Sequence, residues 1–273
     1  MTFVLIATIL WYFPGFGTGE LPAADKERLK ASFSADQVVC KQWCPSCATW
    51  EESVAAVSNA SQSAVREIQS CKPDERRDIV LVGHSLGGRV VAYILAQLGE
   101  MGINIQTAVL LAPAISSDDQ YASKLYRGCS SIVLVVGEND LVLKWIYPFV
   151  AKGASAMETI NVLDDETKFS RYVVPDRYIW RQNQLVPSHS ASVYIGYLVM
   201  CRRGCDVSEG QDIPSVNDLG MELERSVEAT ARSLNVTCHT LGSNVLSVVG
   251  KMQPLNRKFS LNNKDSTGEE NEM

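Results

Sequence analysis

The sequence predicts an α/β protein built on a mostly parallel sheet with helices on both faces. Three observations indicate this fold class. Apolar runs without alternation recur along the chain, as is typical of parallel strands buried on both faces. Stretches with apolar residues at three- and four-residue steps separate these runs, and such alternation predicts right-handed strand–helix–strand units. Polar or glycine-rich turns follow several of the runs, at the sheet edge where α/β proteins place their chemistry.

The strands follow from runs of β-branched and other apolar residues. In chain order we predict them at Phe3–Leu10, Gln37–Cys40, between Asp78 and Gly83, and at Gln106–Pro113, Ser131–Gly137 and Glu158–Leu163. The segment from Asp164 to Pro187 loses the pattern, so we expect a loop there that packs over the site or beside it.

The helices follow from apolar periodicity and from capping residues. We predict them at Leu21–Phe33, Thr49–Cys71, directly after the turn at Ser85, at Leu141–Lys152, from His189 onward and at Ser215–Leu234. Thr49 and Glu52 have the spacing of a capping box, which marks the start of the second helix. Asp25 and the charged residues around it are expected on the solvent-facing side of the first helix.

Composition and charge limit the class of function. With 273 residues, of which 46% are hydrophobic and 21% charged, the chain suits one sizeable α/β domain. A net charge of −6 and the lack of a basic cluster argue against a nucleic-acid partner. We predict a main domain over residues 1–205, a helical extension over 206–250 and a disordered tail over 251–273.

The amino-terminal residues are apolar over too short a length for a membrane span. Residues 1–19 carry no charged side chain, and the apolar run from Phe3 ends at Pro14. A signal peptide usually has Lys or Arg before such a run, and a membrane helix needs about 18–20 apolar residues. We therefore favour a buried first strand, no integral membrane span and a cytoplasmic location, with secretion left open by the apolar start.

The cysteines leave several roles open. They are Cys40, Cys44, Cys47, Cys71, Cys129, Cys201, Cys205 and Cys238. The first three have spacings that resemble cluster-binding and redox motifs, and Cys71 could complete a zinc site with them. The motif lies between a strand and a helix of the predicted sheet, without the setting that those sites require. We favour reduced structural thiols or incidental disulfides, and we expect no metal and no cofactor.

One strand–turn–helix stretch carries the strongest chemical signal. Gly83-His-Ser85-Leu-Gly87 joins an apolar strand to a helix with apolar periodicity. In this setting Gly-x-Ser-x-Gly is the pattern of a nucleophile elbow, in which the serine has a strained, positive φ. A side chain at Gly83 or Gly87 would collide with the neighbouring strand or helix. We therefore predict that Ser85 is a nucleophile.

A serine nucleophile needs a base, and the base needs an acid that orients it. His84 lies inside the turn and points the wrong way, and His239 lies far along in the carboxyl-terminal region, so His189 is the expected base. Asp140 follows a strand end and is the favoured acid, although it could also be an ordinary helix cap. The competing carboxylates are Asp118, Asp119, Glu138, Asp164 and Asp165.

Acyl transfer also needs two backbone N–H donors for an oxyanion. We expect one from Leu86, directly after the serine. The second is expected from the loop after the first strand, where Gly15 and Gly17 let the backbone approach closely. Phe16 is the favoured donor there and Gly17 the fallback. The alternative is a glycine turn without chemistry.

The motifs at Ser85, Asp140 and His189 occur in an order that resembles the α/β-hydrolase superfamily of serine esterases and lipases, over roughly residues 3–203. Gly-His-Ser-Leu-Gly-Gly-Arg-Val, Asp140-Leu-Val-Leu-Lys-Trp-Ile-Tyr and His189-Ser are further similar to the transmembrane-and-coiled-coil-domain hydrolases. The chain departs from the wider pattern in having Pro14 where many esterases have His. The amino-terminal antiparallel strands are missing as well, so the resemblance implies a reduced sheet of about six strands.

The sequence therefore predicts a serine hydrolase that cleaves a carboxylic ester of a small molecule or lipid through an acyl-enzyme on Ser85. An acyltransferase would use the same residues, with an alcohol in place of water. A non-catalytic binding module on the same fold is the third possibility, and the three intact candidate residues argue against it. The residues that bind substrate are not identified by the sequence.

Overall fold

The computed structural model of the protein describes residues 7–116, 127–138, 168–175 and 189–203 and, between these ranges, Tyr121, Lys124, Asp140, Val142, Leu143 and Tyr147. All of them lie in the first of two units of the chain, Met1–Gln211. They form one six-stranded sheet with helices packed on it.

The strands, in chain order, are β1 (Ile9–Phe13), β2 (Gln37–Cys40), β3 (Ile79–His84), β4 (Ile105–Leu111), β5 (Cys129–Gly137) and β6 (Phe169–Val174). The helices are α1 (Ala23–Phe33), α2 (Trp50–Ser70), α3 (Pro73–Arg77), α4 (Leu86–Glu100) and α5 (Ala191–Arg202). All neighbouring strands are parallel, in the order β2-β1-β3-β4-β5-β6. The predicted parallel α/β sheet of about six strands is confirmed.

The connections place helices on both faces of the sheet. The chain moves from β1 outward to β2, then crosses back over β1 to β3 and continues toward β6. Because such crossovers are right-handed, this reversal puts α1 on one face and α2 and α4 on the other. In agreement, α1 packs against α5 and α2 packs against α4. The chain thus leaves β1 and β3 in opposite directions, and α/β sheets bind ligands at the carboxyl ends of such a strand pair.

β3 runs through the centre of the core. All six of its residues are buried, and it pairs with β1 on one side and β4 on the other. Burying a large aliphatic side chain contributes roughly 1.5–3 kcal/mol relative to exposing it, so the central position of this strand is strongly favoured. The turn that follows β3 therefore lies between the carboxyl ends of β1 and β4.

Most predicted boundaries agree with the structure within a few residues. α2 begins after Thr49, whose Oγ1 accepts a hydrogen bond from the Glu52 N–H at 3.2 Å. A Glu52 carboxylate oxygen accepts one from the Thr49 N–H, also at 3.2 Å, so the predicted capping box is confirmed. β1 begins and ends later than predicted, because it pairs with β3 as far as Phe13. The first four residues of the predicted strand, 3–6, lie outside the described residues.

The last strand is a correction to the sequence analysis. β6 lies within the segment 164–187, where we predicted only a loop, and it pairs with β5 along its whole length. Only Val174 among its residues is buried. An edge strand with exposed side chains lacks the unbroken apolar run that marks the inner strands. The strand predicted at Glu158–Leu163 lies outside the described residues.

A second correction concerns Asp25, which we placed on the solvent-facing side of α1. Its side chain is buried. One carboxylate oxygen accepts a hydrogen bond from the Ser192 hydroxyl at the start of α5, and the other accepts one from the Arg28 guanidinium at 2.9 Å. These donors offset the cost of burying a charge. The periodicity of α1 alone could not show that α5 covers this position.

Three predicted segments lie entirely or mostly outside the described residues. They are the extension over 206–250, the tail over 251–273 and the helix at Leu141–Lys152. The predicted domain boundaries therefore stay predictions. None of the helices in the described part of the chain combines the length and the hydropathy that crossing a bilayer requires.

Candidate active site

The turn after β3 places Ser85 at the carboxyl edge of the sheet. Ser85 has φ 52° and ψ −121°, within the positive-φ region that the sequence predicted. Its N–H donates to the Leu111 carbonyl at 2.9 Å, which continues the ladder between β3 and β4. Its own carbonyl accepts from the N–H groups of Gly88 and Ala114, both at 2.9 Å. These hydrogen bonds stabilise a backbone conformation that is unfavourable by roughly 1–3 kcal/mol for a residue other than glycine.

Two glycines make room for this turn. A Cβ on Gly83 would lie 2.5 Å from the Gly87 carbonyl oxygen. A Cβ on Gly87 would overlap the carbonyl oxygen of Phe13 at the end of β1. The predicted steric requirement for glycine at both positions is confirmed. Strand, turn and helix here pack backbone against backbone.

Ser85, His189 and Asp140 form one hydrogen-bonded chain. His189 Nδ1 lies 2.7 Å from Asp140 Oδ2, and His189 Nε2 lies 2.7 Å from Ser85 Oγ. A carboxylate only accepts hydrogen bonds, so His189 Nδ1 carries a proton and donates to Asp140. In the neutral ring Nε2 then carries no proton, so it accepts the hydrogen bond that the Ser85 hydroxyl donates. The three side chains come from the turn after β3, the loop after β5 and the turn before α5. The structure thus brings together the three residues that the sequence analysis selected.

Asp140 is held through both oxygens of its carboxylate, and its side chain is 1% exposed. Oδ1 accepts hydrogen bonds from the N–H groups of Val142 and Leu143, both at 3.0 Å. Oδ2 accepts a second hydrogen bond, from the Tyr194 hydroxyl at 2.6 Å. Four donors therefore meet the roughly four acceptor positions of an ionised carboxylate. Asp140 thus makes hydrogen bonds of the type that a helix cap makes, to the N–H groups two and three positions on, together with the contact to His189.

Sequence reasoning did not single out Tyr194 as a partner of Asp140. Tyr194 lies five positions after His189. This spacing indicates a contact between Tyr194 and Asp140 only once Asp140 is known to face α5. Glu138, the nearest competing acid, is exposed beyond the end of β5. The other four competitors, Asp118, Asp119, Asp164 and Asp165, lie outside the described residues.

His84 lies beside His189 and contacts its backbone. His84 Nε2 is 3.1 Å from the His189 carbonyl oxygen, so Nε2 donates. The centroids of the two imidazole rings are 5.0 Å apart. His84 Nδ1 is buried without a hydrogen-bond partner among the described residues and faces Gly15, whose Cβ, if it had one, would lie 3.1 Å away. His84 was not the expected base, and no local pattern in the sequence indicated its contact with His189.

The surroundings of His84 keep its ring neutral. Burial lowers the pKa of His84 well below its ordinary value of 6.5, and the neighbouring His189 lowers that pKa further. The unfolded chain binds a proton at this ring near pH 6.5, while the folded chain does not. Stability from this residue is therefore fully present above about pH 6.5 and is lost as the pH falls toward the folded-state pKa.

We expect His84→Gln to flatten the dependence of the free energy of unfolding on pH. A glutamine amide can still donate to the His189 carbonyl, but it does not titrate. Below about pH 6.5 the wild type should lose up to about 1.4 kcal/mol per pH unit more than the variant. Urea unfolding at pH values between about 5 and 8 measures both slopes. Equal slopes would contradict the depressed pKa of His84.

The loop after β1 lies directly against the serine turn. A Cβ on Gly15 would lie 3.0 Å from the Cβ of Ser85, so a side chain there would be tightly crowded against the serine turn. The Phe16 ring meets the Trp50 ring edge to face, with centroids 6.0 Å apart. Leu86, the first residue of α4, is buried beside Ser85. The expected oxyanion donors, the N–H groups of Leu86 and Phe16, belong to the two segments that meet here, and their role as donors stays a prediction.

A cavity of about 300 Å³ opens beside this loop. Its lining comes mainly from the loops after β1 and β2, with Ser53 of α2, and includes Gly15 and Phe16. The Trp43 indole N–H donates to the Pro14 carbonyl at 2.9 Å and so ties the two loops together. The cavity lies at the carboxyl ends of the strands, on the same edge of the sheet as Ser85.

The pairing of the cysteines beside the cavity tests whether they could form the zinc site considered from the sequence. Cys44 and Cys47 are joined by a disulfide and both line the cavity, while Cys40 and Cys71 are free. Sulfurs in a disulfide are not thiolate ligands, so a zinc site of these four residues does not fit this pairing. Within the described ranges, no group of three or more His, Cys, Asp or Glu is placed to hold a metal ion.

A family model and several solved structures relate this chain to known proteins. A family model for the alpha/beta hydrolase family matches residues 13–205. The dienelactone hydrolase from Anabaena variabilis is 12% identical, over 73% of this chain and 86% of that chain, with a TM-score of 0.44. Est1E from Butyrivibrio proteoclasticus is 11% identical, over 72% of this chain and 86% of that chain, with a TM-score of 0.41. A search of curated proteins found no match.

The family match covers well over half of the chain and includes the Ser85 turn, Asp140 and His189. It also includes β2 to β6 and all five described helices. The chain therefore belongs to the α/β hydrolase family.

Proposed function

We propose that the protein is a serine hydrolase that cleaves a carboxylic ester through an acyl-enzyme on Ser85. The observation that carries the proposal is the 2.7 Å contact between Ser85 Oγ and His189 Nε2. It joins a hydroxyl group to an acceptor that can remove its proton as the oxygen attacks. Membership of the hydrolase family is consistent with this reaction. The proposed substrate is an ester of a small molecule or a lipid.

In the proposed reaction Ser85 Oγ attacks the ester carbonyl carbon while His189 Nε2 takes the hydroxyl proton. The carbonyl electrons move onto oxygen and form a tetrahedral oxyanion. When the carbonyl re-forms, the bond to the alcohol breaks, and His189 returns its proton to the leaving oxygen. Water then attacks the acyl-serine by the same route and releases the carboxylic acid. Asp140 holds the His189 Nδ1–H and stabilises the imidazolium that forms in both halves.

The N–H groups of Leu86 and Phe16 are the proposed donors to the oxyanion. Leu86 is the first residue of α4, so its N–H also lies at the positive end of a helix dipole. Gly15 lets the loop that carries Phe16 approach Ser85 closely. Loss of one oxyanion donor typically slows acyl transfer by about 10²- to 10³-fold, so this close approach has a large expected effect on rate.

The neutral state of His84 favours the same chemistry. Its ring centroid lies 5.0 Å from that of His189, where a positive charge would repel the imidazolium formed during the reaction. Burial lowers the pKa of His84, so this second charge is absent at neutral pH. The Nε2–H of His84 meanwhile holds the backbone carbonyl of His189.

A fluorophosphonate probe tests the proposal directly. The probe should label the wild-type protein, and mass spectrometry should place the adduct on the peptide that contains Ser85. Ser85→Ala should show no labelling and should reduce hydrolysis of a p-nitrophenyl ester to near background, because the variant lacks the hydroxyl that contacts His189 Nε2.

Ser61→Ala is a matched control for the removal of a buried serine hydroxyl. Ser61 lies on α2, where its hydroxyl donates to the Ser58 carbonyl at 2.8 Å, and it should keep full labelling and turnover. Circular dichroism should show that all three proteins are folded. A folded wild type that is not labelled, or a Ser85→Ala variant that is labelled equally, would refute the proposal.

A further inference from the structure

We infer that Tyr194 is a positioning residue for the proposed reaction, because its hydroxyl holds Asp140 in the orientation that His189 requires. This inference rests on the proposed function. Tyr194 Oη donates to Asp140 Oδ2 at 2.6 Å, and the same oxygen accepts from His189 Nδ1 at 2.7 Å. Tyr194 thus acts on the proton-transferring ring through the carboxylate.

The burial of both groups makes this contact consequential. The Tyr194 side chain is fully buried, and that of Asp140 is 1% exposed. A buried carboxylate needs hydrogen-bond donors within the protein, because burial without them is costly. Backbone N–H groups serve Oδ1, so within the described part of the chain Oδ2 relies on His189 and Tyr194. The Tyr194 hydroxyl can donate to Oδ2 both before and after His189 Nε2 takes a proton.

A glycine at the end of β5 leaves the space that the Tyr194 hydroxyl occupies. A Cβ on Gly137, the last residue of β5, would lie 2.7 Å from Tyr194 Oη and 3.3 Å from the Cβ of Asp140. Tyr194 also lies on α5, directly after the turn that carries His189. Its hydroxyl therefore connects the element that positions the base to the loop that positions the acid. Without that connection Oδ2 keeps only the contact to His189 Nδ1, and the carboxylate is held less firmly on the line between the two atoms.

Tyr194→Phe removes the hydroxyl oxygen and leaves the ring in the core. We expect kcat for a p-nitrophenyl ester to fall by about 10- to 100-fold, as for the loss of a hydrogen bond to a charged group, while KM stays within about twofold. The rate of labelling by a fluorophosphonate should fall by a similar factor, because that reaction also needs an activated Ser85. A split of this kind points to the reacting groups rather than to substrate binding.

A double-mutant cycle with Asp140→Asn separates positioning from a purely structural role. If Tyr194 acts through the Asp140 carboxylate, Tyr194→Phe should have little further effect on the labelling rate once Asp140 is asparagine. Tyr93→Phe is the matched control: its hydroxyl accepts from Arg89 at 3.2 Å on α4, and its loss should leave kcat unchanged. Thermal unfolding of all variants shows whether each remains folded at the assay temperature.

Two results would overturn the inference while leaving the proposed function intact. One is a Tyr194→Phe enzyme whose kcat is within twofold of the wild type, with Ser85 labelled in both. The other is an equal loss of labelling rate in the wild-type and Asp140→Asn backgrounds, which would assign the effect to general packing. Failure of the wild type to be labelled at Ser85 would instead refute the proposed function itself.

Discussion

Replacing His189 with alanine should reduce kcat for a p-nitrophenyl ester by on the order of 10⁴- to 10⁶-fold. His189 Nε2 lies 2.7 Å from Ser85 Oγ, and without this acceptor the hydroxyl loses its proton only to water. The same substitution removes the donor that returns a proton to the leaving alcohol. KM should change little, because the lost group contacts the reacting atoms. Initial rates over a range of substrate concentrations separate the two parameters.

His239→Ala is the matched control, because it removes another of the chain's three histidines and keeps Ser85, Asp140 and His189. Its turnover should equal that of the wild type. Added free imidazole should partly restore the His189→Ala enzyme, since it can accept the proton from the same side of Ser85. Unchanged turnover of a folded His189→Ala enzyme would remove the assignment of His189 as the base.

Replacing Gly87 with alanine should lower the free energy of unfolding by more than about 3 kcal/mol. The new Cβ would overlap the Phe13 carbonyl oxygen and approach that of Pro14 to 2.5 Å. These atoms belong to the backbone at the end of β1, which is paired with β3 and cannot move like the end of a flexible side chain. Urea unfolding followed by circular dichroism measures the change.

Gly19→Ala is the matched control for this substitution. A Cβ there would meet no atom within 4 Å, so the free energy of unfolding should change by no more than about 0.5 kcal/mol. Any Gly87→Ala protein that folds should also be slow toward a fluorophosphonate, because the clash displaces the loop that carries Phe16. A Gly87→Ala protein as stable as the wild type would show that the turn can relax at little cost.

The serine turn could be predicted from the sequence because its requirements are local. An unbroken apolar run, two glycines around Ser85 and a periodic apolar helix lie within one short stretch. The steric limits at Gly83 and Gly87 arise where that same stretch packs on itself and on β1. The capping box of Thr49 and Glu52 could be predicted for the same reason, since its two hydrogen bonds join residues three positions apart.

Edge and surface features were harder to predict, because neighbouring elements decide them. β6 lies at the edge of the sheet and keeps exposed side chains, so it has no apolar run to mark it. Asp25 has the sequence context of an exposed charge, yet Ser192 on a distant helix covers it and supplies a donor. Ala112 has φ 42° at the end of β4, a conformation that few residues other than glycine adopt and that no local pattern indicated.

Residue order was enough to select Ser85, Asp140 and His189, because each follows a strand or begins a helix at the same edge of a parallel sheet. Folding decided what surrounds them. Tyr194 donates to Asp140 across 54 positions of sequence, and His84 donates to the His189 carbonyl across 105. Local periodicity reports which face of one element is apolar, whereas these bonds depend on how separate elements are set against one another. The turn at Ser85 was thus encoded locally, while the contacts around His189 and Asp140 came from the tertiary packing of β3, β5 and α5.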